Sequence, residues 1–120
     1  MKICSINHVQ LAMPPGEEDR ARAFYGGVLN LPEVPKPSDL AKRGGAWFEH
    51  GAVRIHLGVE ADFRPAKKAH PALVVEGMAE IIARCEKVGH RVTPDVSADG
   101  YRRVHVEDPF GNRIELMERE

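Results

Sequence analysis

Arg54-Ile55-His56-Leu57 and Arg113-Ile114-Glu115-Leu116 are one phrase with a single residue changed. A second echo precedes each of them, His8-Val9-Gln10-Leu11 and His70-Pro71-Ala72-Leu73. His8 and His70 are 62 residues apart, and His56 and Glu115 are 59 apart. A change in loop length absorbs the difference of three. Two matches in the same order, flanking the same pattern of elements, predict an internal repeat, and a repeat restricts the chain to folds made of two copies of one module.

The periodicity within each half supplies that module. "SINHVQLAM" alternates as a strand, with Asn7, Val9, Leu11 and Met13 on one face and Ile6, His8, Gln10 and Ala12 on the other. After the turn "PPGEED", Ala21, Phe24, Tyr25 and Val28 recur at helical spacing over about 18–29, although Gly26-Gly27 weakens the C-terminal half. "LPEVPKPSD" is too rich in proline for more than a short edge strand. "GAWFEH" and "VRIHLGVE" read as strands joined by a tight turn at His50-Gly51. The pattern then restarts: "HPALVVEG" as a strand, and "MAEIIARCEKVG" as a helix burying Met78, Ile81, Ile82, Cys85 and Val88. "HRVTPDV", "RRVHVED" and "NRIELME" follow as strands, with the last hairpin turn at Asp108-Pro109-Phe110-Gly111-Asn112. The expectation is one domain, 1–120, of two strand–helix–strand–strand–strand modules, 1–59 and 69–120, with a linker at 60–68.

Several function classes are disfavoured by composition. With a formal net charge of −1 there is no excess of Lys and Arg to neutralise phosphates, so nucleic acid is not an expected partner. No apolar run approaches the roughly 20 residues of a membrane span, so no membrane is expected either. The N-terminal stretch lacks the apolar core of a secretory signal, which makes the cytoplasm the expected location. Cys4 and Cys85 form no CxxC pair and are expected to be reduced and mostly buried.

His8, His56, His70 and Glu115 occupy equivalent positions on the first and last strands of the two modules, on the face opposite the residues that pack on helices. If the sheets curl, these side chains converge. Imidazole and carboxylate suit Zn²⁺, Ni²⁺, Co²⁺, Mn²⁺ or Fe²⁺. The bland alternative is four hydrogen-bonded or solvent-facing residues of alternating strands.

The segments "INHVQLAMP", "RARAFYGGVLNL", "RIHLGVE", "HPALVVEG" and above all "VEDPFGNRIELME" resemble the vicinal oxygen chelate superfamily, which includes glyoxalase I, bleomycin- and fosfomycin-resistance proteins and extradiol dioxygenases. The resemblance implies an α+β fold in which two βαβββ modules form a curved, open mixed sheet around a central cleft. It also implies a divalent metal ion on His8, His70 and Glu115. His56 stands where glyoxalase I often has Glu or Gln, which leaves it as a fourth ligand or as a general base beside the metal; His56 and Glu115 are the expected catalytic pair.

Parity identifies further candidates. Arg54 shares a face with His56, Arg113 with Glu115, and Tyr101, Arg103 and His105 lie on one row with Glu107. Arg103 or Arg54 is a candidate to hold a substrate carboxylate or phosphate, and Tyr101 to donate a hydrogen bond, against the alternative of cross-strand ion pairs. Trp47 and Phe48 cannot both face the cleft, so one of them, Trp47 in the site as read here, walls the ligand while the other packs inward. The expected function is a metal-dependent enzyme acting on a small substrate through adjacent oxygens, nominally a lyase or isomerase, with dioxygenase or thiol-transferase chemistry as variants. The alternative is a non-catalytic small-molecule binding protein of the bleomycin-resistance type. A homodimer is expected from the resemblance.

Overall fold

The computed structural model describes residues 1–120, which form two compact units, Met1–Arg64 and Pro65–Glu120. In the first, β1 (Val9–Met13) leads into α1 (Glu18–Ala21), then β2 (Glu33–Val34), α2 (Ser38–Ala41), β3 (Ala46–His50) and β4 (Val53–Val59). In the second, β5 (Ala72–Val74), α3 (Met78–Lys87), β6 (Val92–Ala98), β7 (Tyr101–Glu107) and β8 (Arg113–Arg119) follow. The strand orders β1-β4-β3-β2 and β5-β8-β7-β6 are the same topology twice. In both sheets the first strand runs parallel to the last and the other pairings are antiparallel. The chain is therefore α+β, with two mixed four-stranded sheets.

The α1 helix opens into a π-helical segment at Arg22–Val28, where the Leu29 N–H donates to the Phe24 carbonyl across five residues. The wider turn coincides with Gly26-Gly27, where the sequence weakens an ordinary helix. It does not disturb the apolar stripe. Phe24, Tyr25 and Val28 are buried, and the Tyr25 ring stacks on Phe48 with centroids 5.5 Å apart. Burial of each such side chain contributes roughly 1.5–3 kcal/mol. Gly45 has a sharper requirement. Its φ is +82°, and a Cβ there would stand 2.0 Å from the Leu57 carbonyl oxygen, so only glycine lets the chain enter β3 beside β4.

Four local expectations need correction. Strands β1 and β5 begin at Val9 and Ala72, so His8 and His70 lie just before their strands rather than within them. The proline-rich stretch holds, besides the two-residue β2, the short helix α2, which the proline count hid. Val88 is exposed, because the chain leaves α3 at Lys87 and the helical stripe ends with Cys85. Cys85 is buried, and burial raises the pKa of its thiol, but Cys4 is exposed in the segment ahead of β1.

The turn after β7 is held by a network of side-chain and backbone bonds. The Asp108 carboxylate accepts from the N–H groups of Phe110 (2.9 Å) and Asn112 (2.8 Å) and from Asn112 Nδ2 (3.0 Å). Asn112 Oδ1 in turn accepts from the Ala66 N–H at 2.9 Å, and the Ala66 carbonyl accepts from the Arg113 N–H at 2.9 Å. Asp-Pro-Phe-Gly-Asn is thus a clamp that fixes the start of β8 against the segment leading to His70.

Candidate functional site

In the first unit, register sets the face. Gln10 pairs with His56 and His56 with Trp47 across β1, β4 and β3, so these side chains share a side of the sheet. Two residues before Gln10, His8 falls over the same spot. The result is a three-ring stack: Trp47 on His56 with centroids 4.0 Å apart at 3°, and His56 on His8 at 4.3 Å and 19°. Phe48 points to the opposite side, into the helix-covered core.

His56 is buried and its Nε2 lies 2.7 Å from Glu49 Oε2. Sequence reasoning passed over Glu49. The available signal was its position two residues after Trp47 on β3, which alternation puts on the same face. The stack also constrains ligation. A metal lies in the plane of the imidazole that binds it, about 2.0–2.1 Å from the nitrogen. Rings stacked this nearly parallel cannot both aim at one ion, so with His8 as a ligand His56 is left as the partner of Glu49. Arg54 is also drawn to its neighbours, donating to the Asn7 carbonyl at 3.4 Å and standing 3.9 Å from Glu49.

In the second unit, Ala72, Glu115 and His105 are register partners across β5, β8 and β7, and His70 stands two residues before Ala72. His70 Nε2 and Glu115 Oε1 are 2.9 Å apart. The second oxygen of Glu115 accepts from Arg103 Nη1 at 2.9 Å. Arg103 further donates to the Val96 carbonyl at 3.0 Å and meets Asp95 at 3.2 Å. The guanidinium read from sequence as a candidate substrate anchor is thus bonded to Glu115, Val96 and Asp95. Tyr101 is likewise engaged, accepting from Arg119 Nη2 at 2.8 Å. His105 sits with its ring 5.3 Å from that of His70. Its Nε2 is 3.0 Å from Asp95 Oδ2 yet buried without a hydrogen bond, so the contact is close but off the N–H axis.

Protonation at His70 follows from its partners. Nδ1 lies 2.8 Å from the Lys68 carbonyl oxygen, which can only accept, so Nδ1 carries a proton. In the neutral ring Nε2 is then a lone pair facing a carboxylate oxygen, and two acceptors at that distance need a cation or a second proton between them. A proton on Nε2 makes the contact an ion pair, and an imidazole whose Nδ1–H is held by a backbone carbonyl is also one that a metal ion could use at Nε2. At His8, Nδ1 is 2.9 Å from Asn7 Oδ1. The donor types of His70 and Glu115, imidazole and carboxylate, suit a divalent ion, although no three His, Cys, Asp or Glu side chains gather to hold one.

Burial pushes the Glu115 pKa up, but hydrogen bonds from His70 and Arg103 and the charges of Arg103 and His105 outweigh it and hold the carboxyl below its ordinary value. Glu115 accordingly contributes stability in full above the unfolded carboxylate value of about 4.3, and that contribution is lost as pH falls through the lower folded-state value. In chelator-treated protein, the difference in melting temperature between wild type and Glu115→Gln is expected to be constant above about pH 6 and to shrink only in the acid range below the ordinary carboxylate pKa. A difference that instead shrinks between pH 6 and 8 would assign the linkage to a histidine.

The family model of the glyoxalase-like domain matches residues 11–117. A solved glyoxalase family protein from Bacillus anthracis is 48% identical, with 100% of this chain and 98% of that one covered and a TM-score of 0.92. A glyoxalase/dioxygenase from Nostoc punctiforme superposes at TM-score 0.77 with 19% identity, covering 97% of this chain and 91% of that one. The fosfomycin resistance protein FosX from Listeria monocytogenes does so at 0.77 with 15% identity, covering 99% and 96%. No curated protein matches the sequence.

Proposed function

The chain belongs to the glyoxalase-like domain family of the vicinal oxygen chelate superfamily, and from that membership we propose that it is a divalent-metal-dependent enzyme whose small substrate chelates the ion through two adjacent oxygens. The observation that carries this reading is the His70–Glu115 pair, with Nδ1 2.8 Å from the Lys68 carbonyl oxygen and Nε2 2.9 Å from Glu115 Oε1. His8, His70 and Glu115 would hold the ion. When bound, it supplies Lewis-acid stabilisation of an oxyanion as charge develops on the substrate, the chemistry of lyases and isomerases of this superfamily.

The remaining roles belong to the protein's own side chains. Arg103 braces Glu115 by a charge-assisted hydrogen bond, so the carboxylate keeps its orientation while His70 is held by Lys68. His56, with Nε2 2.7 Å from Glu49 Oε2, would be the proton-transfer group beside the ion, with Glu49 orienting its ring. The Trp47 ring covers one face of His56 and keeps water from it.

Elemental analysis of tag-free protein purified without chelator, beside His8→Ala and Glu115→Ala, tests the reading. Near-stoichiometric metal in wild type and none in either variant is the expected result. Absence of metal after reconstitution with each of zinc, nickel, cobalt, manganese and iron would overturn it and return the fold to the role of a small-molecule binding protein.

We also propose a cytoplasmic homodimer. Ile3 and Ile6 support it, since both are apolar and largely exposed in the segment ahead of β1. Light scattering on the same samples should give the mass of two chains, and Ile3→Asp/Ile6→Asp should shift it toward one; a monomeric wild type would refute the assembly. No helix is long and apolar enough to cross a membrane.

A further inference from the structure

On the same side of the second sheet as Glu115 lies a cavity of about 260 Å³, lined by Arg91, Thr93, Asp95, His105, Glu107 and Arg113 along with Pro94 and Val106. His105 links its wall to the metal-type pair: it is the register partner of Glu115, and its ring lies 5.3 Å from that of His70. We propose that this cavity binds an oxyanion of the substrate, a carboxylate or a phosphonate or phosphate group, through Arg91 and Arg113. The inference rests on the metal-enzyme reading for the other end of the substrate, but not for the binding of the anion itself.

Charge accounting carries the argument. The other arginines on this face are already used: Arg103 by Glu115, Asp95 and the Val96 carbonyl, and Arg119 by Tyr101. Arg91 and Arg113 enter no ion pair or side-chain hydrogen bond of the structure. Of the two carboxylates at the cavity, Asp95 is occupied by Arg103 and His105. Its pKa is lowered, first by the hydrogen bond from the Val96 N–H and further by Arg103 and His105, so it stays an anion paired with them. Glu107 is the register partner of Arg113 but makes no ion pair with it. The cavity therefore offers two uncommitted guanidinium groups against one uncommitted carboxylate.

The chemistry of the donors narrows the ligand. A guanidinium presents a planar fork of N–H groups that matches the paired oxygens of carboxylates and phosphoryl groups. Asp95 seals His105 Nε2 from solvent, so the free donors are the two arginines and the Thr93 hydroxyl. The volume lies just under the ~300–1,000 Å³ of pockets for drug-sized ligands, which suits a small substrate better than a bulky one. The substrate this arrangement calls for is a compact molecule with two adjacent oxygens at one end and an anionic group at the other.

The test uses chelator-treated full-length protein, so that anion binding is read apart from metal binding. Acetate, methylphosphonate and inorganic phosphate are titrated by two-dimensional NMR, with tetramethylammonium as the cationic counterpart. Saturable shifts at Thr93, His105 and Arg113 are expected with an oxyanion. Affinity should fall tenfold or more in Arg91→Gln and in Arg113→Gln, and stay unchanged in Arg102→Gln, whose side chain does not line the cavity. Preference for acetate would assign a carboxylate substrate; preference for methylphosphonate or phosphate would assign a phosphoryl one. Binding in which both arginine variants match wild type, tetramethylammonium binding in place of the anions, or no binding at all would overturn the proposal. Melting temperatures of the variants identify any that fail to fold, and for such a site the Lys substitution replaces Gln. His70→Ala separates the two readings: it should lose metal and keep the anion, and a wild type that binds anion without ever binding metal overturns only the metal reading.

Discussion

Asp108→Ala is expected to destabilise the protein by at least about 3 kcal/mol, because it leaves the Phe110 N–H, the Asn112 N–H and Asn112 Nδ2 without this acceptor at a cost of about 1–3 kcal/mol for each buried donor. Asp108 is 3% exposed and Asn112 is 1% exposed, so water has little access to replace the lost oxygens. With about 4–8 °C per kcal/mol for a domain near this size, the melting temperature should drop by on the order of 15 °C or more. Asn112→Ala should act on the same network, and the double variant should cost much less than the two single costs combined. Calorimetry of the three variants and wild type checks this. A drop under about 5 °C for Asp108→Ala would show that the turn is held by its backbone bonds alone. The effect should reach the site as well, since the Asn112–Ala66 bond holds the segment that carries His70.

The second large effect is expected at Arg103. Arg103→Leu should weaken binding of the proposed ion by about 10–100-fold, the usual loss when a group that orients a metal-ligating side chain is removed. The physical cause is that Glu115 would keep its place on β8 but lose the partner that holds Oε2, so its carboxylate could rotate away from His70. Arg103→Lys retains the charge without the fork that also reaches Asp95 and Val96, and should fall between. Competition titration against a chromophoric chelator measures both. Equal affinity in wild type and Arg103→Leu would mean that backbone register alone positions the carboxylate.

Much of this architecture was legible in the chain. The paired phrases around His56 and Glu115 announced two modules, and both sheets have one topology. Strand alternation separated Trp47 from Phe48 correctly, because a period of two assigns faces whatever the partner. Glycine and proline marked most of the turns, and the Asp-Pro-Phe-Gly-Asn signature is now explained by the bonds of Asp108 and Asn112. What escaped was of another kind. The helix stripe was read through Val88, but where a helix stops is set by tertiary contacts that the periodicity does not contain. Strands β1 and β5 were drawn too early, since His8 and His70 continue the alternation without continuing the hydrogen-bonded ladder.

The sequence by itself determined which side chains share a face along each strand, because faces follow from local periodicity. It did not determine which charges are spent on one another. Arg54 and Arg103 looked like substrate anchors and are engaged by Asn7, Glu49, Glu115 and Asp95, while Arg91 and Arg113 are left to line a cavity. Glu49 acquired significance only once cross-strand packing brought it to His56. Only the tertiary structure decided these pairings. Coulomb and hydrogen-bond energies depend on distances of a few ångströms between residues remote in the chain, and no one-dimensional pattern encodes them.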